Sequence, residues 1–164
     1  MNPPPPLSGM QWHDGLVLGY GPMDAVHEEF VRCIAAIQDA PEAALPGLMS
    51  ELERHAEQHF GDENHWMEST EFPARECHIN EHEAVLTSVR QVRALAQAGE
   101  TGECRRLADE LAKWFPGHAD YLDSALAHWM CKRSHGGKPV VIRRNLDLRP
   151  VAAGEPADRS STRS

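Results

Sequence analysis

Long apolar runs are missing from this chain, and with them the stretch of roughly 20 residues that a membrane-spanning helix needs. Positive charge is in deficit: 16 Lys and Arg stand against 25 Asp and Glu, for a net charge of −9. That balance argues against a nucleic-acid binder, which must displace counterions with a basic face. Cysteine is sparse, and Cys33, Cys77, Cys104 and Cys131 never occur as Cys-x-x-Cys, so neither a zinc–thiolate site nor a thioredoxin-type motif is indicated. Reduced thiols in a cytoplasmic protein are the expectation. The opening Met-Asn-Pro-Pro-Pro-Pro has neither the basic start nor the apolar core of a signal peptide. Strand-like alternation bounded by turns is absent, as is any repeat of long period. Glu-x-x-His and His-Glu-x-x-His are absent too, which removes the ferritin-like dimetal pattern and the common zinc-peptidase pattern.

Histidine, by contrast, is plentiful: ten residues in a chain of 164. Two stretches place potential metal ligands four apart, His59-Phe-Gly-Asp-Glu63 and His78-Ile-Asn-Glu-His82. A four-residue step turns by about 40° around an α-helix and climbs about one turn, so both side chains of each pair project from one face.

The chain divides into a disordered, proline-rich leader over 1–10, a bundle with its N-terminal arm over 11–133, and a flexible tail over 134–164, rich in Gly, Pro, Arg and Ser. Trp12 in the arm is expected to pack on the domain. Pro22 suits the first turn of helix one, which carries Val26, Phe30, Val31, Ile34 and Ile37, with His27 on the same stripe. Helix two starts at Pro46 along Leu48, Leu52, Ala56, His59, Glu63 and Trp66. Helix three carries His78, His82, Val85, Val89, Val92 and Ala96. Helix four runs from about Glu103 to Lys132 along Leu107, Leu111, Trp114, His118, Leu122, Ala125 and Trp129, with Pro116 expected to kink or divide it. In the tail, Val140-Val-Ile142 is the one apolar run. Four helices with short connections define an all-α, up-down-up-down antiparallel four-helix bundle.

Alternating direction brings the early parts of helices one and three level with the late parts of helices two and four. His27, His59, Glu63, His78, His82, His118 and Asp123 then converge at one end. Asp123 is the member that spacing alone does not select: five residues after His118 it is rotated by about 140° in a regular helix, so a local widening or the Pro116 kink must bring it in. His55, His13, His65, His128, His135, Glu81 and Asp62 are expected to be solvated. Buried imidazoles and carboxylates need mutual satisfaction, which a metal supplies. Such ligands suit iron, manganese or zinc, and their number favours two ions over one.

The pattern Asp24-x-x-His27, His59-Phe60-x-x-Glu63, His78-x-x-x-His82 and Trp114-x-x-x-His118-x-x-x-x-Asp123 resembles the hemerythrins, specifically the bacterial single-domain form, from Trp12 to about Cys131. The resemblance implies two non-haem iron ions with an oxo or hydroxo bridge. His78, His82 and His118 would hold one ion and His27 and His59 the other, with Glu63 and Asp123 bridging. It further implies reversible dioxygen binding at the ion with two histidines, for storage, delivery or sensing, and no enzymatic activity. Phe115, Ala119 and Asn64 depart from the family's usual leucine, isoleucine and glutamate. Two rival readings share the fold: a diiron enzyme acting on peroxide or nitric oxide, and a metal-free helical interaction module.

Overall fold

The computed structural model describes residues 9–135. Helix α1 spans Gly21–Asp39, α2 Leu45–Ser69, α3 Arg75–Gln97, α4 Cys104–His118 and α5 Ser124–His135. Between α4 and α5, Ala119–Asp123 forms a π turn, so the three segments make one rod, the fourth of the bundle. The tail expected from 134 begins inside α5 and from 136 lies outside the described residues, as does the leader over 1–8 with Val140-Val-Ile142. The leader's last residues are placed against the bundle: the Met10 amide donates to Gln38 Oε1 at 2.6 Å. Trp12 packs on the core as expected.

Helix boundaries follow local chemistry. Pro22 and Pro46 occupy the first turns of α1 and α2, where a missing N–H is not needed. The α3–α4 connection turns at Gly99, whose φ of 89° is the left-handed conformation that commonly ends helices. Antiparallel packing shows in the cross-links at one end of the bundle. There Gln97 of late α3 reaches Ser50 of early α2 at 3.0 Å, and Gln38 of late α1 reaches Asp109 of early α4 at 2.9 Å.

Phe30, Ile34, Ile37, Leu45, Met49, Leu52, Val89, Leu111 and Phe115 fill the larger part of the core, away from the His27 end. A smaller cluster of Met23, Met67, Phe72, Leu126, Ala127 and Met130 closes the other end. Each such side chain contributes about 1.5–3 kcal/mol by leaving water. The buried stripes run slightly off those expected. Met49, Phe60 and Met67 are buried in α2, while Leu48 and Trp66 are half-buried; in α3, Leu86 is buried in place of Val85. In α5, Ala125 is exposed, and Leu126, Ala127 and Met130 take the inward positions expected for Ala125 and Trp129. That last shift has one cause: the π turn spends an extra residue in its loop, so everything after it faces inward one position late.

Candidate metal centre

Between the two apolar clusters lie seven buried polar side chains: His27 from α1, His59 and Glu63 from α2, His78 and His82 from α3, His118 from α4 and Asp123 from the π turn. All seven residues singled out in the sequence meet here. Asp123 arrives by widening and not by a break at Pro116, which stays inside α4. The Ser124 amide bonds to Ala119 O, a five-residue step in place of four, and this carries Asp123 round to the His118 side.

The two carboxylates divide their oxygens between two sets of imidazoles. Glu63 Oε1 is 2.9 Å from His59 Nε2 and 3.2 Å from His27 Nε2, while Oε2 is 3.1 Å from His82 Nε2 and 3.5 Å from His78 Nε2. Asp123 Oδ2 is 3.2 Å from His27 Nε2, while Oδ1 is 3.0 Å from His78 Nε2 and 3.2 Å from His118 Nε2. One half-site therefore consists of His78, His82 and His118 with one oxygen of each acid, and the other of His27 and His59 with the opposite oxygens.

Most of these atoms approach without hydrogen bonding. Nε2 of His78, His82 and His118, Oε2 of Glu63 and both oxygens of Asp123 are buried and have no hydrogen-bond partner. Orphaned polar atoms are costly inside a protein, and five of these, the three Nε2 atoms, Glu63 Oε2 and Asp123 Oδ1, face one another in the first half-site, where a cation would satisfy them all. His27, His59 and Glu63 form a second group that could hold an ion, so the donor set fits two. Nitrogen and carboxylate donors without sulfur suit iron, manganese or zinc.

Without an ion the cluster balances its own charge. Burial opposes protonation of His27 and His78, but the close approach and negative charge of Asp123 and Glu63 outweigh it and raise both to about 9. Burial also opposes ionisation of Glu63 and Asp123, yet the surrounding imidazoles hold both well below the usual carboxylate range. His82 is shifted down, chiefly by burial.

Two residues expected to be solvated are built into the surroundings. Glu81 Oε1 accepts from Trp114 Nε1–H at 2.7 Å and from His118 Nδ1–H at 3.2 Å. Its place one residue before His82 on α3 was the available signal: a position next to the inward line reaches the neighbouring helix. His55 stacks on Phe30 at 5.8 Å and meets the His59 ring edge-on at 5.5 Å, and burial lowers its pKa to about 4. Its Nδ1 stands 3.7 Å from Glu29 Oε2, outside both half-sites. Asp24 accepts the Leu18 and Gly19 amides at 2.8 and 3.0 Å, tying the arm to α1.

A four-helix bundle with a core of imidazoles and bridging carboxylates defines a class of metal-binding helical protein. Residues 18–129 match the family model described as the hemerythrin HHE cation binding domain. A bacteriohemerythrin of Ralstonia nicotianae is 40% identical over 124 residues, covering 76% of this chain and 90% of that protein. Bacteriohemerythrins of Pseudomonas paraeruginosa and Pseudomonas aeruginosa are each 29% identical over 145 residues, covering 80% of this chain and 93% of theirs. No solved structure matches the chain significantly. The chain belongs to the hemerythrin family. Among the described residues no helix is long and apolar enough to cross a membrane.

Proposed function

We propose that this protein binds dioxygen reversibly at a non-haem diiron centre, as a carrier, store or sensor in the cytoplasm and not as an enzyme. The observation that carries the reading is the divided reach of Glu63 and Asp123, each offering one oxygen to either half-site. His78, His82 and His118 would hold one ion, His27 and His59 the other, and the two acids reach both half-sites. Two irons bound there, with the oxo or hydroxo bridge that the family resemblance implies, would supply the electrons that dioxygen takes up.

The chain's own part is to fix these ligands and keep water out. Around His27 and His59 the wall is aromatic: Phe115 meets His27 at 5.0 Å, and Phe30 and Phe60 meet His59 at 5.4 and 4.8 Å. All three phenylalanines are fully buried. The three phenylalanine rings offer no proton to a bound ligand, and this supports release over turnover, and so a dioxygen carrier over a peroxide- or nitric-oxide-consuming enzyme.

An anaerobic oxygen titration of the iron-loaded protein, followed by absorbance, tests the reading. The expected outcome is a spectrum that appears with oxygen and reverses fully on degassing, at about two irons per chain. Irreversible oxidation at the first exposure, or a folded iron-loaded chain holding one ion or none, overturns it.

A further inference from the structure

The two half-sites are held very differently from behind. His82 Nδ1–H donates to Asn64 Oδ1 at 2.7 Å, and its ring lies flat on Phe60 at 4.2 Å and 10°. His118 Nδ1–H donates to Glu81 at 3.2 Å, and its ring lies against Trp114 at 4.3 Å and 33°, with Trp114 itself tied to the same carboxylate oxygen. In the other half-site, Nδ1 of both His27 and His59 is buried with no hydrogen-bond partner. Their phenylalanine contacts are edge-on or tilted, at 86° for Phe115 on His27 and at 74° and 42° for Phe30 and Phe60 on His59. His78, the third member of the first half-site, also lacks a partner at Nδ1, so two of its three imidazoles are fixed against none of two.

A hydrogen bond at Nδ1 sets the tautomer that leaves Nε2 free to ligate, and it fixes the ring's orientation before the ion arrives. A charged acceptor does more than a neutral one, because it also stabilises the positive charge drawn onto the ring by a metal. Glu81 is the charged acceptor, and it sits at the rim, its side chain 36% exposed, while His118 is buried. The Glu81–Trp114–His118 contact is a clamp between α3 and α4.

We propose that metal loading is ordered: the half-site of His78, His82 and His118 fills first, with Glu81 as its positioning residue, and the half-site of His27 and His59 fills second and empties first. This rests on the reading of the cluster as a two-metal centre and adds a stable one-metal form. Glu63 and Asp123, anchored through one oxygen each by the first ion, then present the other oxygen to the second.

The test is a titration of metal-free full-length chain with Co²⁺ under anaerobic conditions, followed by calorimetry and by cobalt absorbance. Two resolved steps are expected, the first at least about tenfold tighter. His59→Ala is expected to abolish the second step and keep the first. Glu81→Ala is expected to weaken the first step about tenfold, the scale typical for groups that orient a ligand from behind. Glu81→Gln, which keeps an oxygen acceptor and the fold, should recover part of that loss. Simultaneous uptake of two ions, loss of the first step in His59→Ala, or an unchanged first step in both Glu81 variants overturns the ordering. No uptake of any ion by the folded parent chain overturns the metal reading itself.

Discussion

The difference between His55 and His59 shows what one turn of helix decides. Both belong to α2, four residues apart, and their rings touch at 5.5 Å. Only His59 reaches a carboxylate of the centre, at 2.9 Å from Glu63. His55→Ala is expected to keep iron content and spectrum, at a cost of about 1 kcal/mol for the lost ring packing; His59→Ala is expected to lose the ion of its own half-site and keep the other. Metal analysis beside a thermal melt separates the two, and equal metal loss in both sinks the assignment. Phe115 acts on a different quantity. Fully buried and edge-on to His27, it is larger than leucine, and packed interiors do not take up added volume freely. Phe115→Leu is expected to change the dioxygen on-rate and the decay of the oxygenated form while leaving iron content near the parent's. Rapid mixing checks the first and absorbance over hours the second. Ligand positions such as these were legible in the sequence because a histidine or glutamate on an apolar stripe contradicts its surroundings. Glu81 and His55 were less legible, because a place beside a stripe is the one signal each gives and an ordinary solvated residue gives it too. Only the partner helix shows that Trp114 and His118 wait for one and Phe30 for the other.

At the scale of the element, the π turn explains both what the sequence showed and what it hid. Helical periodicity located the four rods and their directions, since apolar residues at three- and four-residue steps recur through α1, α2, α3 and α4. Periodicity assumes one step size, and Ala119–Asp123 uses another. The inward residues of α5 were therefore placed one position early, while Asp123, which the spacing left beside the stripe, is brought in by the widening the sequence required. A consequence follows for deletions. Tyr121 is 82% exposed within the turn, so its side chain packs little. Removing it sets Asp123 four residues after His118 in a regular helix, rotated by only about 40°, and leaves Leu126, Ala127 and Met130 facing inward. Deletion of Tyr121 is expected to preserve the fold, with two ions still bound. Deletion of Glu110, exposed on regular α4, turns one part of the rod by about 100° against the other and is expected to cost the centre or the fold. Circular dichroism and metal content check both; loss of metal on deleting Tyr121 with Glu110 dispensable inverts the argument.

For the molecule as a whole, the centre is a set of charges in the middle of an apolar bundle, and pH governs it. In the metal-free chain, the anions of Glu63 and Asp123 are offset by protons on His27 and His78, both raised from an ordinary 6.5 to about 9. A raised folded-state value contributes stability that is fully present below 6.5 and is lost as pH climbs through 9. The depressed carboxylates act in the opposite sense: their contribution is present above ordinary values of 4.5 for Glu63 and 3.8 for Asp123, and is lost in acid. His55, lowered from 6.5 to about 4, and His82, lowered too, act in the same sense as the carboxylates: the fold holds both neutral, so stability is lost as pH falls below 6.5. The melting temperature of the metal-free chain is therefore expected to peak near neutrality or slightly below. It should fall by on the order of several degrees by about pH 9.5, as two buried anions lose their counter-charges. Metal ions supply that positive charge at any pH, and binding to the folded state alone adds its own stabilisation. The alkaline loss should disappear in the loaded protein, so the gap between loaded and metal-free melting temperatures should widen from pH 6.5 to 9.5. Scanning calorimetry across that interval, with and without metal, measures the gap. Parallel alkaline slopes in the two forms would mean that His27 and His78 are not the cations that balance Glu63 and Asp123, and that the bundle holds its empty centre by some other means.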